Sequence, residues 1–356
     1  MSFQPVSDEK CLWIHPERKV LIFFHVDDSI IAGKRHDIDA IKAELMEVYP
    51  MRDCGPVSWF LGIRVIRNRP ERKIYLCQDA YIERMVHSLK HPPAPNVDYP
   101  LSPYCDLSPS TGEVDEAVVK EYQRLIGAIN WAAVATRPDI AHAVSVLASH
   151  LSNPSRRHLN AAYGVLGYLY ATRHQALCYS DCQSSGKDAK LWIAPLQASS
   201  DASFADLPGR CSSQGYLFCL FGGAVVWNAT KQRTVTTSTT EAELMAVSAA
   251  ARELIATIRF VLQSGFKLDQ NIELQCDNRQ TVDVINKPAP TLTTKLRHID
   301  IHHHWLRQLV QSGQTDSGIN NTIAVVWVDT ASMPADGLTK RLSADKHGKF
   351  VQQLGM

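Results

Sequence analysis

Short apolar runs open the chain. Leu12-Trp13-Ile14 and Val20–Phe24 flank the turn-like HPERK, which predicts a hairpin. A further run, Ser29–Ala32, follows Asp27-Asp28 and ends at Gly33, so a strand–turn–strand with two carboxylates at its tip is expected. Ile38, Ile41 and Leu45 then fall at helical spacing. Residues 91–118 are rich in proline and weakly periodic, the pattern of a linker. From about 119 to 175 the apolar positions are helical: Leu125, Ile129 and Ala133; then Val144, Leu147 and Leu151; then Leu159, Ala162, Leu166 and Leu169. The polar segment 181–190 marks a second boundary. Beyond it the pattern becomes α/β. Strands are expected at Leu196–Asp201, Tyr216–Leu220, Val225–Asn228, Glu273–Cys276 and Thr322–Val328. A long helix carries Leu244, Val247, Ala251, Leu254, Ile258 and Leu262 on one stripe, and its start has the S/T-x-x-E spacing of a capping box. Another helix is expected from about Arg297 to Gln311, and a short helical region at the end.

Composition changes this picture little. The 356 residues are 45% hydrophobic and 21% charged, which is globular and argues against wholesale disorder. Net charge is +1, so any nucleic-acid surface must be a local basic patch. The nine cysteines are odd in number and form no CxxC pair, which favours a reduced compartment. No secretory signal and no membrane-length apolar run is read, so a soluble intracellular protein with no membrane partner is expected.

Four acidic residues stand in suggestive places. Asp201 and Asp277 end expected strands, Glu243 lies in the first turn of the long helix, and Asp336 opens the last helix. Each alone reads as a turn or cap residue. Together, carboxylates at the ends of neighbouring strands and on an abutting helix can converge, and such oxygen donors suit Mg²⁺, with Mn²⁺ as the alternative ion. Two such ions about 4 Å apart can drive phosphodiester hydrolysis.

The order of local sequences then carries a resemblance. SSDASFA (199–205), GYLFCLFGGAVVWNATKQ (215–232), TSTTEAELMA (237–246), Cys276-Asp277-Asn278, RHIDIHHHWLR (297–307) and ADGLTK (335–340) follow one another as in the RNase H domain of copia/Ty-type LTR retrotransposons. The earlier FFHVDDSIIAG (23–33), CGPVSWFLGIRV (54–65), QDAYIERMV (78–86) and the stretch 122–158, with its Thr-Arg-Pro-Asp-Ile, resemble the end of the same element's reverse transcriptase and its connection.

The resemblance implies an RNase H-like mixed five-stranded sheet with flanking helices, preceded by an α+β reverse-transcriptase palm/thumb remnant and a helical connection. The implied boundaries are 1–100 for the remnant, 101–190 for linker and connection, 191–341 for the RNase H-like domain and 342–356 for a C-terminal tail. It further implies two Mg²⁺ ions held by Asp201, Glu243, Asp277 and Asp336, with Glu243 preferred to Glu241. The expected activity is endonucleolytic cleavage of RNA in RNA–DNA hybrids; the alternative is a non-catalytic nucleic-acid-binding remnant. Asp27 and Asp28 match the polymerase dyad, but the upstream strand bearing the other catalytic Asp is expected before this region, so polymerisation is not expected of this chain alone. Lys231, Arg233, Arg297, Lys340 and Arg341 flank the acidic motifs and are candidate phosphate contacts. The RNase H loop lacks the His that cellular enzymes carry before the last Asp. Partners would be the hybrid and other parts of the polyprotein; the place, the cytoplasm within a virus-like particle, or the nucleus.

Two further groups read as structural. His298 and His302 have zinc-like spacing but fit a helix start better. His174, Cys178 and Cys182 fit a polar loop. Trp227 and Trp305 lie in apolar stretches and are expected in the core.

Overall fold

The longest helix of the computed structural model shows how the C-terminal half is built. Ser238 accepts the backbone N–H of Glu241 and caps a helix running Thr239–Gln263. Its stripe of Leu244, Val247, Ala251, Leu254 and Ile258 is fully buried. That stripe must meet another apolar face, and a sheet provides it. The structure describes residues 2–6, 9–89, 92–112, 115–180, 193–194, 196–268, 271–286, 297–312 and 322–356.

In chain order the described elements begin with β1 (Gln4–Val6), β2 (Glu9–His15), β3 (Val20–His25), β4 (Asp28–Ala32) and α1 (Arg35–Val48). The four strands form an antiparallel sheet in that order, and Ile41 and Leu45 of α1 pack on Val20 and Ile22. Next come β5 (Trp59–Phe60), β6 (Ile63–Asn68), β7 (Lys73–Cys77) and α2 (Asp79–His87). The helical middle is α3 (Glu116–Ala135), a 3-10 turn (Pro138–Ile140), α4 (Ala141–Ala148) and α5 (Arg156–Ala171), packed around Tyr122, Ile129, Leu147 and Leu166. Then β8 (Leu177–Ser180) returns to pair antiparallel with β7. The proline-rich stretch expected as a linker packs onto this bundle: Leu101 is buried, and a Cβ at Gly167 would collide with the Ala94 carbonyl.

The last part holds β9 (Ile193–Ala194), β10 (Leu196–Leu207), β11 (Cys211–Leu220), β12 (Gly223–Lys231), α6 (Thr239–Gln263), β13 (Lys267–Leu268), β14 (Asn271–Cys276), α7 (Arg279–Asn286), α8 (Arg297–Ser312), β15 (Thr322–Trp327), two 3-10 turns (Thr330–Ser332 and Pro334–Leu338) and α9 (Ala344–Gln353). The main sheet has the order β12-β11-β10-β14-β15. The first three strands are antiparallel; β14 runs parallel to β10, and β15 parallel to β14. This is the mixed five-stranded, RNase H-like sheet implied by the resemblance.

Period-two alternation gives the sheet two apolar faces. Phe218, Ala198, Leu274 and Val325 join α6 and α8 in one core. Leu217, Cys219 and Ala224 join Leu177, Leu338, Phe350 and Leu354 in the other. Residues 342–356, read as a tail, thus form a packed helix: its few apolar side chains close the second face. Among the described residues no helix is long and apolar enough to cross a membrane.

Candidate metal and nucleic-acid site

Three sequence-distant carboxylates meet on the main sheet. Asp201 lies in the middle of β10, because that strand continues to Leu207 instead of ending at Asp201 as expected. Asp277 follows β14 directly, and β10 and β14 are parallel neighbours in a register that brings Asp277, where β14 ends, level with Asp201. Asp336 does not open a helix. Pro334 sets a 3-10 turn, and Asp336 sits in it. That turn lies on Gly215, the strand partner of Asp201; a Cβ at Gly215 would approach Leu338 Cβ to 2.6 Å. Glycine there lets the turn close, and oxygens of Asp201, Asp277 and Asp336 fall within 4.8 Å of one another.

Each carboxylate is held. Asp201 is fully buried and accepts the hydroxyl of Thr339, itself buried. Lys340 Nζ lies 2.5 Å from Asp336 Oδ1 and 3.4 Å from Asp201 Oδ2, so its ammonium bridges the two. Asp277 Oδ2 accepts the Thr330 hydroxyl at 2.8 Å, and its backbone carbonyl accepts the Trp327 indole N–H at 2.9 Å. Burial raises the Asp201 carboxyl to about 6; Lys340 opposes this and Asp336 adds to it. Burial works against the Lys340 ammonium, but Asp201 and Asp336 outweigh it and hold its pKa above the ordinary value.

Glu243 stands beside this group without entering it. It is the fifth residue of α6, one turn later than expected, and is buried. It lies 3.9 Å from the Cys276 thiol, and the backbone N–H of Ala202 favours its charged form. Burial first, then the charges of Asp201 and Asp277, push its carboxyl up to about 9. Glu241 serves the helix instead. Its carboxylate accepts both the N–H and the hydroxyl of Thr237, each at 2.7 Å, and so closes the start of α6.

The donor set fits a hard divalent cation. All three clustered groups offer oxygen, Asp277 and Asp336 are partly open, and a cationic ammonium is already drawn between two of them. Among the described residues no other group of three metal-capable side chains occurs.

The remaining sequence candidates are dispersed. Asp27 and Asp28 lie exposed at the tip of the β3–β4 hairpin, after Val26 at φ 53°, a strained value for a β-branched residue. Lys231, the last residue of β12, and Arg233, just past it, are exposed. Arg341 is exposed but donates to the Cys105 carbonyl at 2.7 Å. Lys340 points into the carboxylates. The side chains of Arg297 and His298, and all of Cys182, lie outside the described residues. His302 Nδ1 meets Ser248 Oγ at 2.7 Å, and Trp227 donates to the Ala133 carbonyl at 2.8 Å, both structural roles. Thr330 and Trp327 were not anticipated, and only Thr339 stood in a quoted motif.

Residues 1–102 match the reverse transcriptase (RNA-dependent DNA polymerase) family. The retrovirus-related Pol polyprotein from transposon TNT 1-94 of Nicotiana tabacum is 33% identical over 95% of this chain and 24% of its own length. The putative transposon Ty5-1 protein of Saccharomyces cerevisiae is 30% identical over 66% of this chain and 74% of its own length. The chain belongs to the copia/Ty-type retrotransposon polyprotein family. As a member of it, the chain spans about a quarter of the length of the Pol polyproteins it matches. A foamy viral protease–reverse transcriptase, solved with an RNA/DNA hybrid, aligns over 86% of this retrotransposon chain and 35% of its own, at 15% identity and a TM-score of 0.45.

Proposed function

We propose that this retrotransposon chain cleaves the RNA strand of RNA–DNA hybrids at the Asp201–Asp277–Asp336 cluster, leaving 5′-phosphate and 3′-hydroxyl ends. The observation that carries the reading is the convergence of three carboxylates, one of them buried, from two neighbouring strands and a turn. Asp201, Asp277 and Asp336 would hold two Mg²⁺ ions, with Glu243 completing the set. Bound there, the ions would supply an activated water and stabilise the leaving 3′ oxygen.

The protein's own groups do the rest. Thr339 fixes one oxygen of Asp201, and Thr330 fixes Asp277. Burial and the neighbouring aspartates, which raise the Glu243 carboxyl to about 9, favour its neutral form without a cation, and it would serve as a ligand once that charge is offset. Lys231, Arg233, Arg297 and Arg341 would meet backbone phosphates, and hybrid specificity would come from 2′-hydroxyl contacts instead of base reading. Binding should therefore weaken steeply with salt and ignore sequence. By resemblance Asp27 and Asp28 belong to a polymerase site, to which other parts of the polyprotein would contribute.

The test is a labelled hybrid incubated with the purified chain in Mg²⁺ and in EDTA. Internal cuts in RNA that require Mg²⁺ support the reading. Binding of the hybrid without cleavage in either condition would replace it with a non-catalytic role.

A further inference from the structure

The Thr-Arg-Pro-Asp-Ile motif takes no part in that chemistry, yet it holds the most deeply buried ion pair described. The side chains of Arg137 and Asp139 are 1% and 0% exposed. A pair so placed is tolerable only if nearly every donor and acceptor is met. Arg137 Nε and Nη2 donate to the two Asp139 oxygens at 2.9 and 2.7 Å. Its remaining donors reach Thr172 O and Oγ1 and Gln175 Oε1. Asp139 Oδ2 also accepts the Tyr168 hydroxyl at 2.9 Å. The same hydroxyl oxygen lies 2.9 Å from Nε2 of His347, which then donates to it.

His347 belongs to α9, and α9 leads back to the metal site. Three residues on, Phe350 presses against Gly337, where an added Cβ would overlap the ring. Gly337 adjoins Asp336, and Leu338 packs with Phe350 and Leu354. The turn's own backbone bonds run from 3.0 Å, Lys340 N to Asp336 O, to 3.4 Å, Asp336 N to Met333 O; on its other side it meets Gly215 and bonds to Asp201 through Thr339. It is therefore held between the sheet on one side and Phe350 of α9 on the other.

We propose that the Arg137–Asp139–Tyr168–His347 network is a positioning device for the metal site: it fixes α9, and through Phe350 fixes the turn that delivers Asp336, Thr339 and Lys340. The helical connection is then part of what assembles the carboxylates. The inference rests on the metal-site reading for its consequence, but its geometry can be read without activity.

Tyr168→Phe in the full chain deletes the oxygen shared by Asp139 and His347 and keeps the ring. Three quantities are read: the Mn²⁺ midpoint by electron paramagnetic resonance, amide hydrogen exchange over 333–341, and kcat and KM on a hybrid. Loss of a group bonded directly to a metal ligand weakens binding by about 10–100-fold, so Tyr168, which acts through α9, should reach no more than the lower end of that range. The expected result is a Mn²⁺ midpoint raised about tenfold, faster exchange at 336–340 than in β10–β12, and a lower kcat with KM nearly unchanged. Leu125→Ala, in the helical core, is the control that lowers stability alone and should move none of these. Phe350→Leu should reproduce the Tyr168→Phe effect, and the double variant should be no worse than the worse single. If Tyr168→Phe does not fold, His347→Leu carries the same measurements. Unchanged midpoint and exchange in the folded variant, equal shifts in Leu125→Ala, or full additivity would overturn the proposal. A parent chain that binds no Mn²⁺ would sink the metal reading instead, and the exchange result would still decide the network.

Discussion

Asp27 and Asp28 are adjacent in sequence and share the exposed tip of one hairpin; Asp201, Asp277 and Asp336 are 76 and 59 residues apart and share one small volume. The two regions show different ways of presenting carboxylates. At the hairpin, chain adjacency alone brings the charges together, the small core beneath consists of Val20, Ile22, Ile41 and Leu45, and solvent screens the pair. In the sheet, three elements each contribute one group. Burial of Asp201 removes screening, so a cation is needed to offset what folding has gathered. A pair of aspartates in sequence is thus a weaker sign of a metal site than a trio gathered from three elements around one buried aspartate.

The largest test of this contrast is Asp201→Asn. It keeps side-chain volume and removes a ligand charge, so hybrid cleavage should fall to background while hybrid binding persists. Cleavage equal to the parent would show that the chemistry lies elsewhere.

Next is the dependence of stability on pH. Asp201 and Glu243 both titrate above their ordinary values, about 6 and about 9. Protonation is thus favoured by folding. Their contribution is complete below the ordinary carboxylate range and is lost as pH rises through about 6 and then about 9. Urea melts of the EDTA-treated chain should weaken across that window by a few kcal/mol. Glu243→Gln should flatten the upper part, and Mg²⁺ should restore stability at pH 8. A melt that is flat from pH 5 to 9 without metal would contradict the buried-charge account.

Gly215→Ala probes the delivery of Asp336. The new methyl must push Leu338 and its turn outward, with an overpacking cost of about 1–3 kcal/mol. Mn²⁺ binding and cleavage should weaken together; a loss of stability with unaltered metal binding would show that the turn can shift without moving Asp336.

The smallest effect is expected at the hairpin. Asp27→Asn with Asp28→Asn should change stability by no more than about 0.5 kcal/mol and leave hybrid cleavage at the parent level. Among the described residues no third carboxylate joins them, so the parent chain alone should add no nucleotide to a primed template. Incorporation that vanishes in the double variant would promote this hairpin to a working site.

Much of the architecture was legible because it is written in local periodicity. The stripe of α6 and the alternation along β11 and β14 follow from spacing alone, and the ordered motifs carried the resemblance. What escaped has a common cause in non-local packing. Helix α7 has only Val282 and Ile285 as fully buried apolar residues over one short run, too few to show a period. Helix α9 was legible only as a short helical region; it is mostly polar, and its Phe350 acquires meaning only against Gly337 and the β11 residues Leu217 and Cys219. Asp201 reads as a strand end because Ala202–Asp206 holds no run of large apolar residues, while hydrogen bonding to β11 carries β10 on to Leu207. Lys340 looked like a surface cation; the two carboxylates that draw it inward come from elsewhere in the chain or one helical turn away.

The bond between Tyr168 and His347 spans 179 residues of chain. Contacts of such separation close late, because the entropy of a large loop must be lost before they stabilise anything. The sheet and α6 can form earlier from nearer contacts. The turn bearing Asp336 should then settle in a final, slower phase, with catalytic competence trailing the recovery of secondary structure on dilution from denaturant.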